Sequence, residues 1–286
     1  MSKKMPITVS SWTLGDQCSF EERVKAAAEA GYDGIGLRAE TYVDALQEGL
    51  TDQDILDILD KYGIVCSEVE YIVQWCEEKR SYEQKYKEQM CFHMCELFGV
   101  EQINCGLMET YSVEYTAQKL KELCQRAGKY IIGVEPMPYS GIPDIKKGWD
   151  VVRESGCDNA MLHIDTWHWV KWGTPIDVKE LEGIPADKFC SIQINDVWER
   201  SYAPSVLRDE SMHDRLAPSA GKGPGIGCTA DWLKMVKDHG IVPKQIGVEV
   251  ISDNLLAKGV AECAKITFEG AKEALEAAGW TEALED

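Results

Sequence analysis

The sequence predicts an α/β protein folded as one (β/α)8 barrel, and three observations predict it. Short apolar runs alternate with helical sequence eight times. No Pro/Gly/Ser-rich linker or charge block marks a domain boundary within the 286 residues. Four successive apolar runs stop on an oxygen-bearing side chain: Glu135, Asp165, Gln193 and Glu249. Strict strand–helix alternation implies a parallel sheet, and eight repeats imply its closure. A single domain over 1–286 is therefore expected, with catalysis at the C-terminal ends of the strands.

The elements follow in order. Residues 7–10 read as the first strand. Ser19-Phe20-Glu21-Glu22 is a capping box, and the helix it opens closes at Gly31. Residues 34–37 form the second strand. Residues 51–62 carry Ile55, Leu56, Ile58 and Leu59 on one face of a helix that stops at Gly63. A third strand covers 64–70, a long helix 81–98, a fourth strand 102–105 and a helix 113–127. Strands over 131–135, 161–165, 189–194 and 245–250 complete the set. Helices over 145–155, 178–181, 229–239 and 259–278 fill the gaps. The stretch 198–227 is polar, rich in Gly and Pro, and too long for an ordinary connection. It predicts a functional loop over the active site.

Composition narrows the function classes. A net charge of −19 and a pI near 4.7 supply no basic face for a phosphate backbone or an anionic membrane. No apolar run reaches the length of a membrane span. The N-terminal Met-Ser-Lys-Lys-Met-Pro has no apolar stretch behind its lysines and does not read as a signal peptide. The 11 cysteines are scattered without a Cys-x-x-Cys pair, so free thiols in a reducing cytoplasm are expected. Cys91 and Cys95, one helical turn apart, read as packing.

The four strand-ending residues suit one ring of oxygen ligands for a hard or borderline divalent cation such as Mn2+, Mg2+ or Co2+. Three carboxylates neutralise the ion, and positions remain open for substrate oxygens. A cation held so acidifies a C–H next to a carbonyl and stabilises the enediolate that follows. A carboxylate of the set, Glu135 or Glu249, can take the proton. Capping or ion-paired carboxylates at strand ends are the competing reading. His168, three residues past Asp165, is a candidate acid/base. His163 shares the face of Asp165 by strand alternation. His93 and His239 read as structural. Arg38, Glu70 and Asn104 end earlier strands and are candidate substrate contacts. His213, Arg215 and Lys222 are cations on the long loop and are assigned the same role. Trp167 stands among tryptophans near predicted strand ends (Trp12, Trp75, Trp169, Trp172, Trp198) that could stack on a sugar or flat aglycone.

The chain resembles the xylose-isomerase-like TIM barrels, often labelled sugar phosphate isomerase/epimerase. The resemblance is carried by residues 29–37, Gly-Val-Glu-Pro (133–136), His-Ile-Asp-Thr-Trp-His (163–168), Ile-Gln-Ile-Asn-Asp (192–196), His-Asp-Arg-Leu (213–216) and Gly-Val-Glu-Val (247–250). It implies metal ligation at Glu135, Asp165, position 193 and Glu249. Sugar epimerases of this group generally place histidine at the third of these positions. Gln193 instead resembles the dehydratase and lyase branches, dehydroshikimate dehydratases among them. Segments 36–42 and 67–71 look similar to the catalytic subunit of bacterial C-glycoside deglycosidases, which implies C–C cleavage of a 3-oxo C-glucoside and a small β-rich partner subunit. The expected activity is a metal-dependent lyase on an oxo-sugar. The alternatives are an isomerase/epimerase or a dehydratase of the dehydroshikimate/inosose type. An oligomer without nucleic-acid or membrane partners is expected.

Overall fold

The computed structural model describes residues 5–199, 206–223, 225–280 and 283–284. Eight parallel strands close a barrel in chain order: β1 (Ile7–Ser10), β2 (Gly34–Arg38), β3 (Val65–Ile72), β4 (Gln102–Cys105), β5 (Ile131–Val134), β6 (Ala160–Asp165), β7 (Phe189–Ile194) and β8 (Ile246–Val248). Pairing of β1 with β8, Ile7 opposite Ile246 and Val9 opposite Val248, makes the closure. The fold is the single-domain (β/α)8 barrel that the alternation predicts.

The helices are α1 (Phe20–Ala30), α2 (Ala39–Gln47), α3 (Asp52–Tyr62), α4 (Tyr82–Phe98), α5 (Val113–Ala127), α6 (Ile145–Ser155), α7 (Thr166–Lys171), α8 (Leu207–His213), α9 (Thr229–Asp238), α10 (Asp253–Leu256) and α11 (Val260–Ala278). Ser19 and Glu22 make the expected capping box, and Gly31 closes α1 at φ 107°, a left-handed conformation that suits glycine. Four short helices, α2, α7, α8 and α10, were not expected. α8 lies inside the stretch read as loop. Of that stretch, 200–205 and Pro224 lie outside the described residues.

Strand side chains alternate between two environments. Val9, Ile35, Leu37, Val69, Ile103, Ile132, Val134, Leu162, Ile192, Ile194 and Val248 are wholly buried and join one core with the helices. Each such burial contributes roughly 1.5–3 kcal/mol. The other face is unlike the branched apolar layers that usually fill a closed barrel. Ser10, Glu68, Glu70, Gln102, Asn104, His163, Asp165, Ser191 and Gln193 are all buried, and all but Asp165 hydrogen-bond among themselves inside the barrel. Glycines make the room. A Cβ on Gly133 would stand 2.9 Å from Asn104 Oδ1 and from Cys190 Sγ, and one on Gly247 would stand 3.0 Å from Gln193 Cγ.

Candidate active site

A cavity of about 250 Å³ opens at the C-terminal ends of the strands. Its lining includes Glu70 from β3, Glu135 just past β5, Glu249 just past β8 and His168 from α7. Arg38, Tyr71, Tyr139, Arg208 and Arg215 line it as well. The acids meet here because β5, β6 and β8 each end on one.

Asp165 serves two structural tasks. It caps α7, accepting from the backbone N–H of Trp167 at 2.7 Å, and so turns the chain from strand to helix. It also accepts from Asn195 Nδ2 at 3.1 and 3.2 Å and from Arg215 Nη1 at 2.8 Å. Burial works against its charge, but Arg215, His168 and Asn195 outweigh it and hold the carboxyl below its ordinary value. Glu249 accepts from Ser10 Oγ at 3.2 Å and from Arg215 Nη1 at 3.0 Å. One Arg215 nitrogen therefore bridges Asp165 and Glu249. Burial pushes the Glu249 carboxyl up to about 7, with Glu70 and Asp165 adding to the rise and Arg215 opposing it. Burial also raises Glu135 well above the carboxylate range, reinforced by Glu249 and Asp165.

Glu135, Asp165 and His168 form a buried group with one ligand atom from each lying within 4.8 Å of the others. Two buried atoms there have no hydrogen-bond partner, Glu135 Oε1 and His168 Nδ1. The orphaned Glu135 Oε1, 3.4 Å from His168 Nε2 and beside mutually repelling carboxylates, fits a divalent cation. The expected ring is thus brought together only in part. Glu135 and Asp165 gather with His168, which had been assigned acid/base work rather than ligation. Glu249 is drawn to Arg215 and Ser10. Gln193, beside Asp165 in the sheet register, donates from Nε2 to Glu70 Oε1 at 2.9 Å, and its Oε1 meets His163 Nε2 at 3.1 Å.

Of the acid/base work expected of His168, its surroundings favour the base. Burial pushes its imidazole down to about 3, so it is neutral near pH 7. A neutral imidazole accepts a proton or ligates; it holds no surplus proton to donate.

Beneath the cavity the polar column is continuous. Gln102 Nε2 reaches Ser191 Oγ at 2.5 Å, and Ser191 Oγ meets His163 Nδ1 at 2.5 Å. Asn104, assigned to substrate, lies one layer down, wholly buried, and donates to Glu68 Oε2 at 2.8 Å and Glu70 Oε1 at 3.1 Å. Burial pushes the Glu68 carboxyl up to about 7, and Glu70 adds to it. Sequence reasoning missed Ser10, Glu68, Gln102, Ser191 and Asn195 as parts of the site. The signal for four of them is the two-residue period of a strand: Glu68 stands two before Glu70, Gln102 two before Asn104, and Ser191 and Asn195 two either side of Gln193; Ser10 carries none.

Three assigned substrate contacts stand elsewhere. Trp167 is fully buried with Val197, Leu207 and Cys228, where it packs α7 against the long connection. His213 is exposed at the end of α8 and faces Asp253 at 3.2 Å. Lys222 is exposed and pairs with Glu273 at 2.9 Å. Neither cation lines the cavity, because each leans on an acid of the α10–α11 side. Of the other tryptophans, Trp75 and Trp169 are buried in the core, while Trp12 lines the cavity. His239 reaches the Ile184 carbonyl at 2.8 Å and His93 faces Asp52 at 3.2 Å, both outside the site. Cys91 and Cys95 are buried in the core. Among the described residues no helix is long and apolar enough to cross a membrane.

A family model described as "Xylose isomerase-like TIM barrel" matches residues 24–284. No curated protein sequence matches. Solved structures match over nearly the whole chain. A xylose isomerase-like TIM barrel/4-hydroxyphenylpyruvate dioxygenase fusion protein matches with TM-score 0.82 and 17% identity over 97% of this chain, which spans 44% of the fusion's length. An IOLI protein with a bound zinc atom matches with TM-score 0.79 and 17% identity, covering 96% of this chain and 99% of that one. The probable 3-DHS dehydratase AsbF of Bacillus anthracis matches with TM-score 0.73 and 12% identity over 94% and 99% of the two chains. A D-allulose 3-epimerase from Methylomonas sp. matches with TM-score 0.68 and 14% identity over 95% and 98%. At such identities these likenesses establish the fold.

Proposed function

From the premise that the chain belongs to the xylose isomerase-like TIM-barrel family, we propose that it is a divalent-metal-dependent lyase acting on an oxo-sugar. The bond we assign to it is the C–C bond of a 3-oxo C-glucoside, broken by β-elimination. One observation carries this reading: Glu249 lines the cavity with its carboxyl pushed up to about 7. A carboxylate with that affinity for a proton is matched to removing one from carbon next to a carbonyl near neutral pH.

Glu135, Asp165 and His168 would hold the cation, with Gln193 and Glu249 beside them. When bound, Mn2+ (or Mg2+, Co2+ or another divalent ion) would polarise the substrate carbonyl and relieve the repulsion among the carboxylates. The chain's own residues do the rest. Glu249 takes the proton, and the electron pair of that C–H bond becomes the new C=C as the leaving group departs. Once protonated, Glu249 can return the same proton to the leaving carbon. Ser10 and Arg215 hold its two oxygens in place. Gln193 keeps Glu70 oriented, and His163 keeps Gln193 oriented. Tyr71 and Tyr139 close the cavity sides.

The test is release of aglycone from a 3-oxo C-glucoside by the purified chain with Mn2+, alone and with a small β-rich partner subunit of the kind expected from the sequence. Glu249→Gln should abolish turnover with metal content retained. Full activity in that variant would sink the assignment of the base. A second reading, sugar epimerase, is favoured by one feature. Glu135 and Glu249 both line the cavity with raised affinity for protons, as a two-base inversion needs. Solvent deuterium appearing in the recovered sugar without aglycone release would favour it.

A further inference from the structure

Beside its acids, the cavity carries a cation whose guanidinium finds no hydrogen-bond acceptor among the described residues. Arg38 is 8% exposed, and it ends β2. Its guanidinium carbon lies 3.4 Å from the centre of the Trp12 ring and 5.5 Å from that of Tyr71. Its Nε is buried without a hydrogen-bond partner. Glu40, its ion-pair partner, stands 3.7 Å away and is itself taken by Lys87. Among the described residues the guanidinium donates no hydrogen bond to any side chain or carbonyl. Lys87 and Arg208 line the same cavity.

A buried guanidinium ordinarily spends its five donors on acceptors, and leaving them unmade is costly. Stacking on an indole satisfies a face and leaves the planar fork at the edge free. That fork matches the two oxygens of a carboxylate. Glu70, Glu135 and Glu249 accept hydrogen bonds once ionised and cannot donate them, so they suit hydroxyls. What the acids cannot hold is an anion, and Arg38 is placed to hold one.

We propose that Arg38, braced on Trp12, is the subsite for a carboxylate of the substrate, so that the 3-oxo C-glycoside taken here is the acid form, a glucuronide, in preference to the neutral glucoside. The proposal rests on reading this mouth as the substrate site. The cavity then sorts its ligand by charge: the proton-accepting acids face the reacting carbon, and the Arg38 wall takes the carboxylate.

D-glucuronate and D-glucose differ in having a carboxylate or a hydroxymethyl at one carbon. Binding of each to the Mn2+-loaded protein is measured by titration calorimetry at fixed ionic strength. Glucuronate should bind about tenfold tighter, as one charge-assisted contact implies. The preference should vanish in Arg38→Met and fall partway in Arg38→Lys, which keeps the charge and loses the fork. Circular dichroism checks that each variant folds, and if Arg38→Met does not, an undiminished preference in Arg38→Lys overturns the proposal. Equal binding of the two sugars, binding of neither, or a preference that survives Arg38→Met overturns it as well. Tighter binding of D-glucose 6-phosphate than of glucuronate would overturn the carboxylate assignment in favour of phosphate. No turnover is needed, so this result stays readable whichever way the aglycone assay falls.

Discussion

The two halves of the barrel mouth are built differently. On the β5–β8 side the acids stand only at the ends of the strands: Glu135, Asp165 and Glu249. They converge on one another and on a single internal cation, Arg215. On the β1–β4 side the polar groups run down into the strands: Ser10, Glu68, Glu70, Gln102 and Asn104. They form a neutralising hydrogen-bond lattice instead. The first half holds charges apart by a counter-ion, the second by amides and hydroxyls. The comparison teaches that the mouth can concentrate acid only because something beneath or beside each carboxylate donates to it.

The strongest way to break the comparison is to remove the counter-ion. Arg215 is 2% exposed and bonds Asp165, Glu249, the Ser211 carbonyl and Ser211 Oγ. Arg215→Met should destabilise the metal-free protein by about 3–5 kcal/mol, the usual cost of orphaning a buried charge. Urea unfolding measures it, and added Mn2+ should restore part of the loss. A change below about 1 kcal/mol would show that Arg215 does not neutralise the β5–β8 half.

The next test uses pH. Glu68 and Glu249 are each pushed up to about 7 in the fold, above an unfolded value near 4.3. Between those values the folded state holds protons that the unfolded chain has released. Stability of the metal-free protein should therefore fall as pH rises from about 4.5 to 7, by up to about 3 kcal/mol for each of the two carboxyls. Glu249→Gln and Glu68→Gln should each flatten part of that slope, and Glu135, raised by burial as well, carries the remainder. A stability that climbs over this window would contradict the burial-driven rise on both sides.

A smaller effect tests the part of the polar column that runs beneath the β5–β8 acids, His163 of β6 with Ser191 and Gln193 of β7. His163→Leu leaves Ser191 and Gln193 each short of a buried partner and should cost about 1–3 kcal/mol. It should also weaken Mn2+ binding, since Gln193 loses the group that fixes its amide. Unaltered metal affinity would detach the column from the site. The smallest effects belong outside the mouth: His213→Ala and Lys222→Ala should leave melting temperature and turnover unchanged. Loss of activity in either would return the loop cations to the substrate.

The same contrast explains what the sequence disclosed. The β5–β8 acids were legible because an apolar run that stops on a carboxylate is conspicuous. The eight strands and the long helices were legible through apolar periodicity, and residues 102–105, 113–127, 145–155 and 189–194 match the observed elements. The inward lattice was not legible, since Glu68, Gln102 and Ser191 read like the solvent side of a half-exposed strand. Only closure of the barrel makes that face interior. The short helices were missed for want of caps. Arg38 before α2, Val206 before α8 and Ser252 before α10 make no side-chain cap bond, and α7 is capped by Asp165, already read as a strand end. His213 and Lys222 looked like site cations because sequence gives their charge without their direction.

One strap remains from the long connection. Lys171 of α7 and Glu210 of α8 form a buried ion pair. Trp167 packs on Leu207, and Tyr139 Oη meets Ser211 Oγ at 3.0 Å. α7 also carries His168, and α8 leads directly into Arg215. Any swing of α8 that widens the entrance must therefore drag on both His168 and the internal counter-ion. The doorway and the machinery share one hinge, so traffic through the mouth and readiness of the acids are expected to rise and fall together, with amides of α7 and α8 exchanging their hydrogens at a common rate.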